Sequence, residues 1–168
     1  ATKGGGVNIV FMGDCFDAQD IATGRYLNGI NEAIGYYFGI EPYKTYKEYC
    51  GQEKTIADLR NMSYGTWQNI MKDLYWDKCL ADEIENQSLA EIIADWCVNS
   101  GMIGLRKVQE LVGTKPDGIA GPKTLAAING SEQSELFERI MDARKQFYVN
   151  IVKRNPRQKV FMNGWMNR

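Results

Sequence analysis

Beyond about residue 54, apolar residues recur every three or four positions, which is the spacing of amphipathic helices. Three stripes comprise Trp67, Ile70, Met71, Leu74 and Tyr75; Leu89, Ile92, Ile93, Trp96 and Cys97; and Leu105, Val108, Leu111 and Val112. The longest predicted helix covers about 132–153, with Leu136, Ile140, Phe147 and Ile151 inward and Phe137, Met141 and Tyr148 beside them. The pattern therefore predicts a mainly α chain.

Residues that start or stop helices divide these stripes. Ser88 with Glu91, and Thr45 with Glu48, have the spacing of capping boxes, and each pair predicts a helix start. Helices are predicted to stop at Ser100-Gly101 and at Gly113. A short helix should run from Gly121-Pro122, where proline takes the first helical position, to Asn129-Gly130.

The first 50 residues follow a different pattern. Residues 7–12 form a short apolar run, typical of a buried strand, that ends at Gly13-Asp14. A helical stripe follows, made of Ile30, Ala33, Ile34, Tyr37 and Phe38, and Glu41-Pro42 is expected to break it. We therefore predict a short α/β-like segment over 1–50 and a helical domain over 51–168, with the boundary near Cys50-Gly51.

The composition excludes several kinds of chemistry. The 168 residues include no histidine, which removes histidine-based catalytic triads and HExxH zinc sites. Cys15, Cys50, Cys79 and Cys97 have no metal-knuckle spacing, and we interpret them as small buried apolar side chains. We expect no metal and no cofactor. No apolar run approaches the ~20 residues that span a bilayer, so no membrane span is expected.

Charge is divided unevenly along the chain. The overall net charge is −1, but residues 139–168 carry eight Lys and Arg against Asp142 alone. Such a basic tail suits either an anionic polymer or, as we favour, a solvated face that pairs with the acidic remainder. No RNA-binding signature accompanies it, so no nucleic-acid partner is expected.

Five ordered motifs carry a resemblance to a known family. They are residues 75–77, 95–101, 108–109, 117–124 and 164–168, which read YWD, DWCVNSG, VQ, DGIAGPKT and GWMNR. Together they make residues ~55–168 similar to glycoside hydrolase family 108, including its C-terminal peptidoglycan-binding-like part. The resemblance implies a lysozyme-like helical bundle, the MurNAc–GlcNAc strands of peptidoglycan as partner, and a periplasmic, secreted or phage-associated location. It does not indicate the oligomeric state.

The catalytic acid of that family is not found. In the family it is a glutamate within a Glu-Gly-Gly sequence, and this sequence has no Glu-Gly-Gly. Glycoside hydrolysis needs a carboxylic acid that protonates the leaving oxygen. The resemblance therefore predicts a muramidase-like module that binds peptidoglycan with weak or no hydrolysis, and its catalytic residues are unknown.

Six residues are candidates for substrate binding: Tyr75, Trp76, Asp77, Asp95, Asn99 and Asp117. The two aromatic rings would stack on sugar faces and Asp77 would contact glycan. Equally, Tyr75 continues a core stripe and Asp77 caps a turn. Asp95 and Asn99 share one helix face and would line a cleft or hold the structure together by hydrogen bonds. Asp117 lies in a turn that backbone geometry alone could explain.

A second resemblance concerns residues ~1–50, which resemble the start of an IgA-peptidase-type zinc metallopeptidase on residues 6–14, 20–22 and 38–49. Since that family holds its zinc on a later HExxH helix, the chain is interpreted as a hybrid of two incomplete catalytic domains. Two alternatives stay open. One is an active muramidase that uses a relocated carboxylate such as Glu32, and the other is a non-catalytic structural or interaction protein.

Overall fold

A computed structural model describes residues 41–167. The predicted strand at 7–12, the helix around 30–38 and Glu32 lie outside the described residues. Within them, the α-helices are α1 (Glu41–Cys50), α2 (Ile56–Arg60), α3 (Tyr64–Met71), α4 (Gln87–Ser100), α5 (Ile103–Leu111), α6 (Pro122–Asn129), α7 (Gln133–Arg154) and α8 (Met162–Met166). No β-strand occurs between residues 41 and 167. The mainly α, lysozyme-like fold class is confirmed.

Helix α4 is the centre of the core because its side chains are buried on every side. Leu89, Ile93 and Trp96 are each fully buried, and α5 and α7 pack against the same helix. Gly104 lets α5 approach closely, since a Cβ at that position would come within 3.0 Å of the Trp96 carbonyl carbon. The predicted stripe of α4 is therefore the main packing surface of the molecule.

The predicted C-terminal ends of α4 to α7 are correct. Two predicted helix starts, at Ser88 for α4 and at Thr45 in α1, are wrong. Helix α4 is capped by Asn86, whose side chain accepts from the Leu89 backbone N–H at 3.2 Å. The Glu91 side chain accepts a hydrogen bond from the side chain of Gln87, so it does not form the capping box predicted with Ser88. Thr45 lies inside α1, so it is not an N-cap either.

The C-terminal end of α5 follows its prediction closely. Gly113 adopts a left-handed conformation with φ 72°. The Thr114 N–H donates to the carbonyl of Gln109, and the Gly113 N–H donates to that of Glu110. Both bonds belong to a Schellman motif, which satisfies carbonyls that the end of a helix leaves without partners.

The inward face of α7 differs from the predicted one. Its buried residues are Leu136, Ile140, Arg144 and Tyr148, a strict four-residue repeat. Phe147, predicted to point inward, is half-buried against the core and contacts the Trp96 ring edge-on, and Ile151 is half-buried. The prediction did not include Arg144, whose guanidinium the structure places against Asp95 of α4.

The first and last described helices, α1 and α8, make contacts with the rest of the described structure. Trp165 of α8 stacks on Tyr148 with ring centroids 4.7 Å apart and an interplanar angle of 14°, which fixes the tail to α7. On α1, Tyr46 is buried and the Tyr49 hydroxyl donates to Asp73. The domain boundary expected near Cys50-Gly51 stays a prediction. No described helix is long and apolar enough to cross a membrane.

Candidate functional site

The segment between α3 and α4 has the most irregular described backbone. A π-helical turn, Lys72–Trp76, continues α3, and short 3-10 turns follow at Asp77–Cys79 and Ala81–Glu83. Between them, Leu80 has φ 52° and ψ 39°. Leucine rarely adopts this left-handed conformation, and π turns are frequent at functional sites. Both unusual features border one surface depression.

That depression is lined by Asp77, Leu80, Ala81, Asp82 and Glu83, and we call it the acidic groove. Its volume is about 190 Å³. Enclosed ligand pockets usually have volumes of ~300–1000 Å³, so the groove accommodates only part of a long ligand. Its carboxylates are exposed and accept hydrogen bonds, which suits the hydroxyl and amide groups of a glycan.

Lys72 links two of the groove carboxylates. Its ammonium group contacts Asp77 and lies 3.5 Å from an oxygen of Asp82. The hydrogen bond to Asp77 raises the pKa of Lys72, and burial partly opposes this effect. Because all three side chains are substantially exposed, the network fixes the shape of the groove more than it stabilises the fold.

Trp76 is part of the groove's support. Its side chain is 4% exposed, and its indole N–H donates to Asp82 at 2.8 Å. Tyr75 is half-buried against the core. The sequence left two interpretations open: stacking of both rings on sugar, or a structural role in which Tyr75 continues the core stripe. In the structure Trp76 lies behind the groove, where its indole N–H contacts the Asp82 carboxylate.

The exposed aromatic surface lies on α3. Tyr64 is 63% exposed and stacks on the half-buried Trp67, with ring centroids 5.5 Å apart. Trp67 was predicted to belong to a core stripe, whereas Tyr64 was not a predicted site residue. An exposed aromatic side chain near a helix start has no periodic signal that would distinguish it from ordinary surface.

Asp95 and Asn99 belong to the interface between α4 and α7. Asp95 accepts a hydrogen bond from the Arg144 guanidinium at 2.5 Å, and the two side chains are 21% and 5% exposed. The Asn99 side chain donates to the Asp95 backbone carbonyl at 2.8 Å. Of the two roles that the sequence left open, lining a cleft or holding the structure together by hydrogen bonds, this geometry fits the second.

Asp117 organises the turn before α6. It accepts from the Ile119 backbone N–H at 3.0 Å and from the Gln109 side chain at 3.1 Å. The first of these bonds contributes most to lowering the pKa of Asp117. The buried Gln109 amide also accepts from the Gly118 N–H at 2.8 Å, so one side chain of α5 holds the whole turn.

The acidic groove is connected to the C-terminal helices through Asn129 at the end of α6. Its side chain donates to the Glu83 carbonyl at 3.0 Å and accepts from the Glu85 N–H at 3.1 Å. Lys72, Asp82, Glu83 and Asn129 were not predicted as groove residues. Their contacts join residues five or more positions apart in the sequence, which no local composition signal predicts. Across residues 41–167, no cluster of three or more Cys, Asp or Glu side chains has the arrangement of a metal site.

Two sequence families match this chain in tandem. The Glycosyl hydrolase 108 family matches residues 35–101, and the family described as Predicted Peptidoglycan domain matches residues 103–168. The chain is similar to glycosyl hydrolase 108 proteins. The junction between the two matches falls at Gly101, the turn between α4 and α5. The glycosyl hydrolase 108-like part therefore supplies α4 and the acidic groove, and the second part supplies the helices packed around them.

A solved structure supports the fold. The structure of Brucella abortus SagA matches with a TM-score of 0.58 and 20% sequence identity, over 74% of this chain and 78% of that chain. At this identity the match bears on architecture alone. A comparison with curated protein sequences gave no match. The comparisons support a lysozyme-like, peptidoglycan-related module.

Proposed function

We propose that this chain recognises the MurNAc–GlcNAc strands of peptidoglycan through the acidic groove, and that it hydrolyses them weakly or not at all. The observation that carries the proposal is that two peptidoglycan-related family matches follow one another along the chain and contribute residues to the same helical core. The groove lies within the first match, and Asn129 of the second holds its rim.

The chemistry of the groove favours binding. Asp77 and Asp82 are exposed acceptors linked by Lys72, so they offer positioned oxygen atoms while the lysine offers a donor. A sugar chain carries hydroxyl and acetamido groups that can use both kinds of partner. Because hydrogen bonds to charged groups contribute ~1.5–3 kcal/mol each, a few of them can give measurable affinity.

The described carboxylates offer little support for hydrolysis. A glycosidase acid is protonated at working pH, usually because an apolar pocket raises its pKa. Here Asp95 lies against a guanidinium, Asp77 lies against an ammonium group, and the pKa of Asp117 is lowered. The sequence also has no Glu-Gly-Gly. None of these three carboxylates lies in the apolar pocket in which a glycosidase acid is usually found.

Co-sedimentation with insoluble peptidoglycan tests the recognition. We expect the wild-type chain to pellet, and a variant with Asp77→Asn and Asp82→Asn to bind roughly tenfold more weakly, since each loses a charge-assisted hydrogen bond. Asp142→Asn is the matched control, because Asp142 is an exposed aspartate of α7 outside the groove. A wild-type chain that stays in the supernatant would remove the recognition proposal. If all variants pellet equally, the acidic groove is not the binding site.

A release assay tests the second half of the proposal. Soluble reducing ends should not rise above those of a heat-denatured control. Glu32→Gln provides a further comparison for the alternative of an active muramidase. Robust release by the wild type that this substitution abolishes would establish that alternative instead.

A further inference from the structure

Two cysteines that are distant in sequence meet in the core beneath the acidic groove. The Sγ atoms of Cys79 and Cys97 lie 3.5 Å apart, and the residues are 1% and 0% exposed. We propose that these two cysteines form a disulfide bond that joins the turn preceding the groove to α4. The proposal does not depend on peptidoglycan binding.

The positions of the two side chains support this bond. Cys79 is the last residue of a 3-10 turn, and Cys97 lies in the second half of α4. A disulfide has an S–S length of ~2.05 Å, so the sulfur atoms must approach by about 1.5 Å. Small rotations of two side chains whose thiols already contact each other can supply this movement. In the reduced protein the thiols of Cys79 and Cys97 share a hydrogen bond.

Burial determines when the bond can form. The hydrogen bond shared with Cys79 and burial raise the pKa of the Cys97 thiol far above its ordinary value. Since thiolates are the reactive species, the folded pair reacts slowly with external oxidants. We therefore expect oxidation during folding, before the turn closes over α4.

The oxidant is a disulfide of the surroundings, such as glutathione disulfide or the disulfide of a protein oxidase. One cysteine thiolate attacks this disulfide, forms a mixed disulfide and releases one thiol of the oxidant. The second cysteine thiolate then attacks the protein sulfur of the mixed disulfide and releases the other thiol. Two protein thiols are oxidised by two electrons in total, and one oxidant disulfide becomes two thiols.

The bond would have a local consequence for the groove. Cys79 immediately precedes Leu80, the residue with the left-handed backbone, and Leu80 and Ala81 line the groove. A covalent link from this turn to the buried α4 would hold that backbone in place. The groove should therefore keep its shape better in the oxidised protein than in the reduced one.

The test is refolding of the full chain in glutathione buffers of increasing oxidising strength, followed by alkylation of free thiols and peptide mapping. We expect a linked pair of peptides containing Cys79 and Cys97, with a loss of two hydrogen atoms in mass. Cys15 and Cys50 should be alkylated. By chain-entropy arguments, the oxidised protein should melt on the order of 5–10 °C above the reduced protein.

Matched variants separate this bond from other effects. The Cys15→Ala, Cys50→Ala variant retains only the proposed pair and should show the same redox-dependent melting shift. The Cys79→Ala, Cys97→Ala variant should lose the shift. If that variant does not fold, the peptide map of the wild type still decides. Free thiols at both positions after oxidative refolding, or pairing of either with Cys15 or Cys50, would overturn the proposal.

Discussion

The ion pair between Asp95 and Arg144 should be essential to stability. Arg144→Met keeps most of the aliphatic stem but leaves the Asp95 carboxylate without its guanidinium partner. Asp95→Asn removes the negative charge that compensates the Arg144 guanidinium, whose side chain is only 5% exposed. Breaking a buried pair on one side costs ~3–5 kcal/mol. Because Asp95 remains 21% exposed, water can partly compensate its charge, and we expect about 2–4 kcal/mol for each substitution.

The double variant distinguishes a specific pair from two independent losses. With both charges removed, neither partner is left buried alone, so the double variant should cost less than the sum of the single variants. The coupling energy should be about 1–3 kcal/mol, as for other residues in direct contact. Urea unfolding followed by tryptophan fluorescence provides the free energies, since Trp96 is fully buried beside the pair on α4.

Two results would contradict this reasoning. Additive effects within about 0.5 kcal/mol would mean that the two charges do not stabilise each other. A stable Asp95→Asn variant with impaired peptidoglycan sedimentation would instead assign Asp95 to ligand binding.

Three further predictions concern the turn before α6. Gly118→Ala should destabilise the protein by ~1–2 kcal/mol in urea titrations, because Gly118 has φ 76° and the added Cβ would lie 3.0 Å from Arg106 Nε. Gly121→Ala has open space and an extended backbone, so it should lose only the modest preference for glycine at the N-cap of α6 and cost less than Gly118→Ala. Gln109→Leu should lower the free energy of unfolding by about 2–3 kcal/mol, because it leaves buried partners such as the Gly118 N–H without an acceptor. Thermal melting measures this loss, and an unchanged melting temperature would refute the role of Gln109. The pKa of Asp117 is lowered in the folded protein, so the stabilisation by its carboxylate is present above the ordinary pKa and is lost as pH falls through the folded value. Asp117→Asn should therefore lose less stability than the wild type below about pH 4 in urea titrations. Equal losses of stability in the two proteins would count against this role.

The sequence predicted those parts of the fold that local signals control. Helices α4 to α7 were recognised because apolar spacing and terminal residues such as Gly113 act within one or two turns of chain. The start of α4 was misplaced because Ser88 with Glu91 has the spacing of a capping box, but Asn86 competes successfully for the cap. Such competition between neighbouring polar residues is decided by side-chain geometry.

The acidic groove was only partly predictable for a different reason. Asp77 was recognised through its motif, but Asp82 and Lys72 become its neighbours through the irregular backbone of the π turn, the 3-10 turns and Leu80. Likewise, Arg144 entered the core because Asp95 accepts its hydrogen bond. Apolar periodicity cannot show either arrangement, because both depend on pairs of polar residues from separate segments.

The most direct test of the proposed function measures binding and cleavage in one incubation with insoluble peptidoglycan. The pellet is assayed for protein, and the supernatant is analysed by mass spectrometry for muropeptide fragments. We predict protein in the pellet and few or no fragments above the heat-denatured control. Protein that remains in solution, or abundant fragments with new reducing ends, would contradict the proposal that this chain binds the cell-wall glycan and hydrolyses it weakly or not at all.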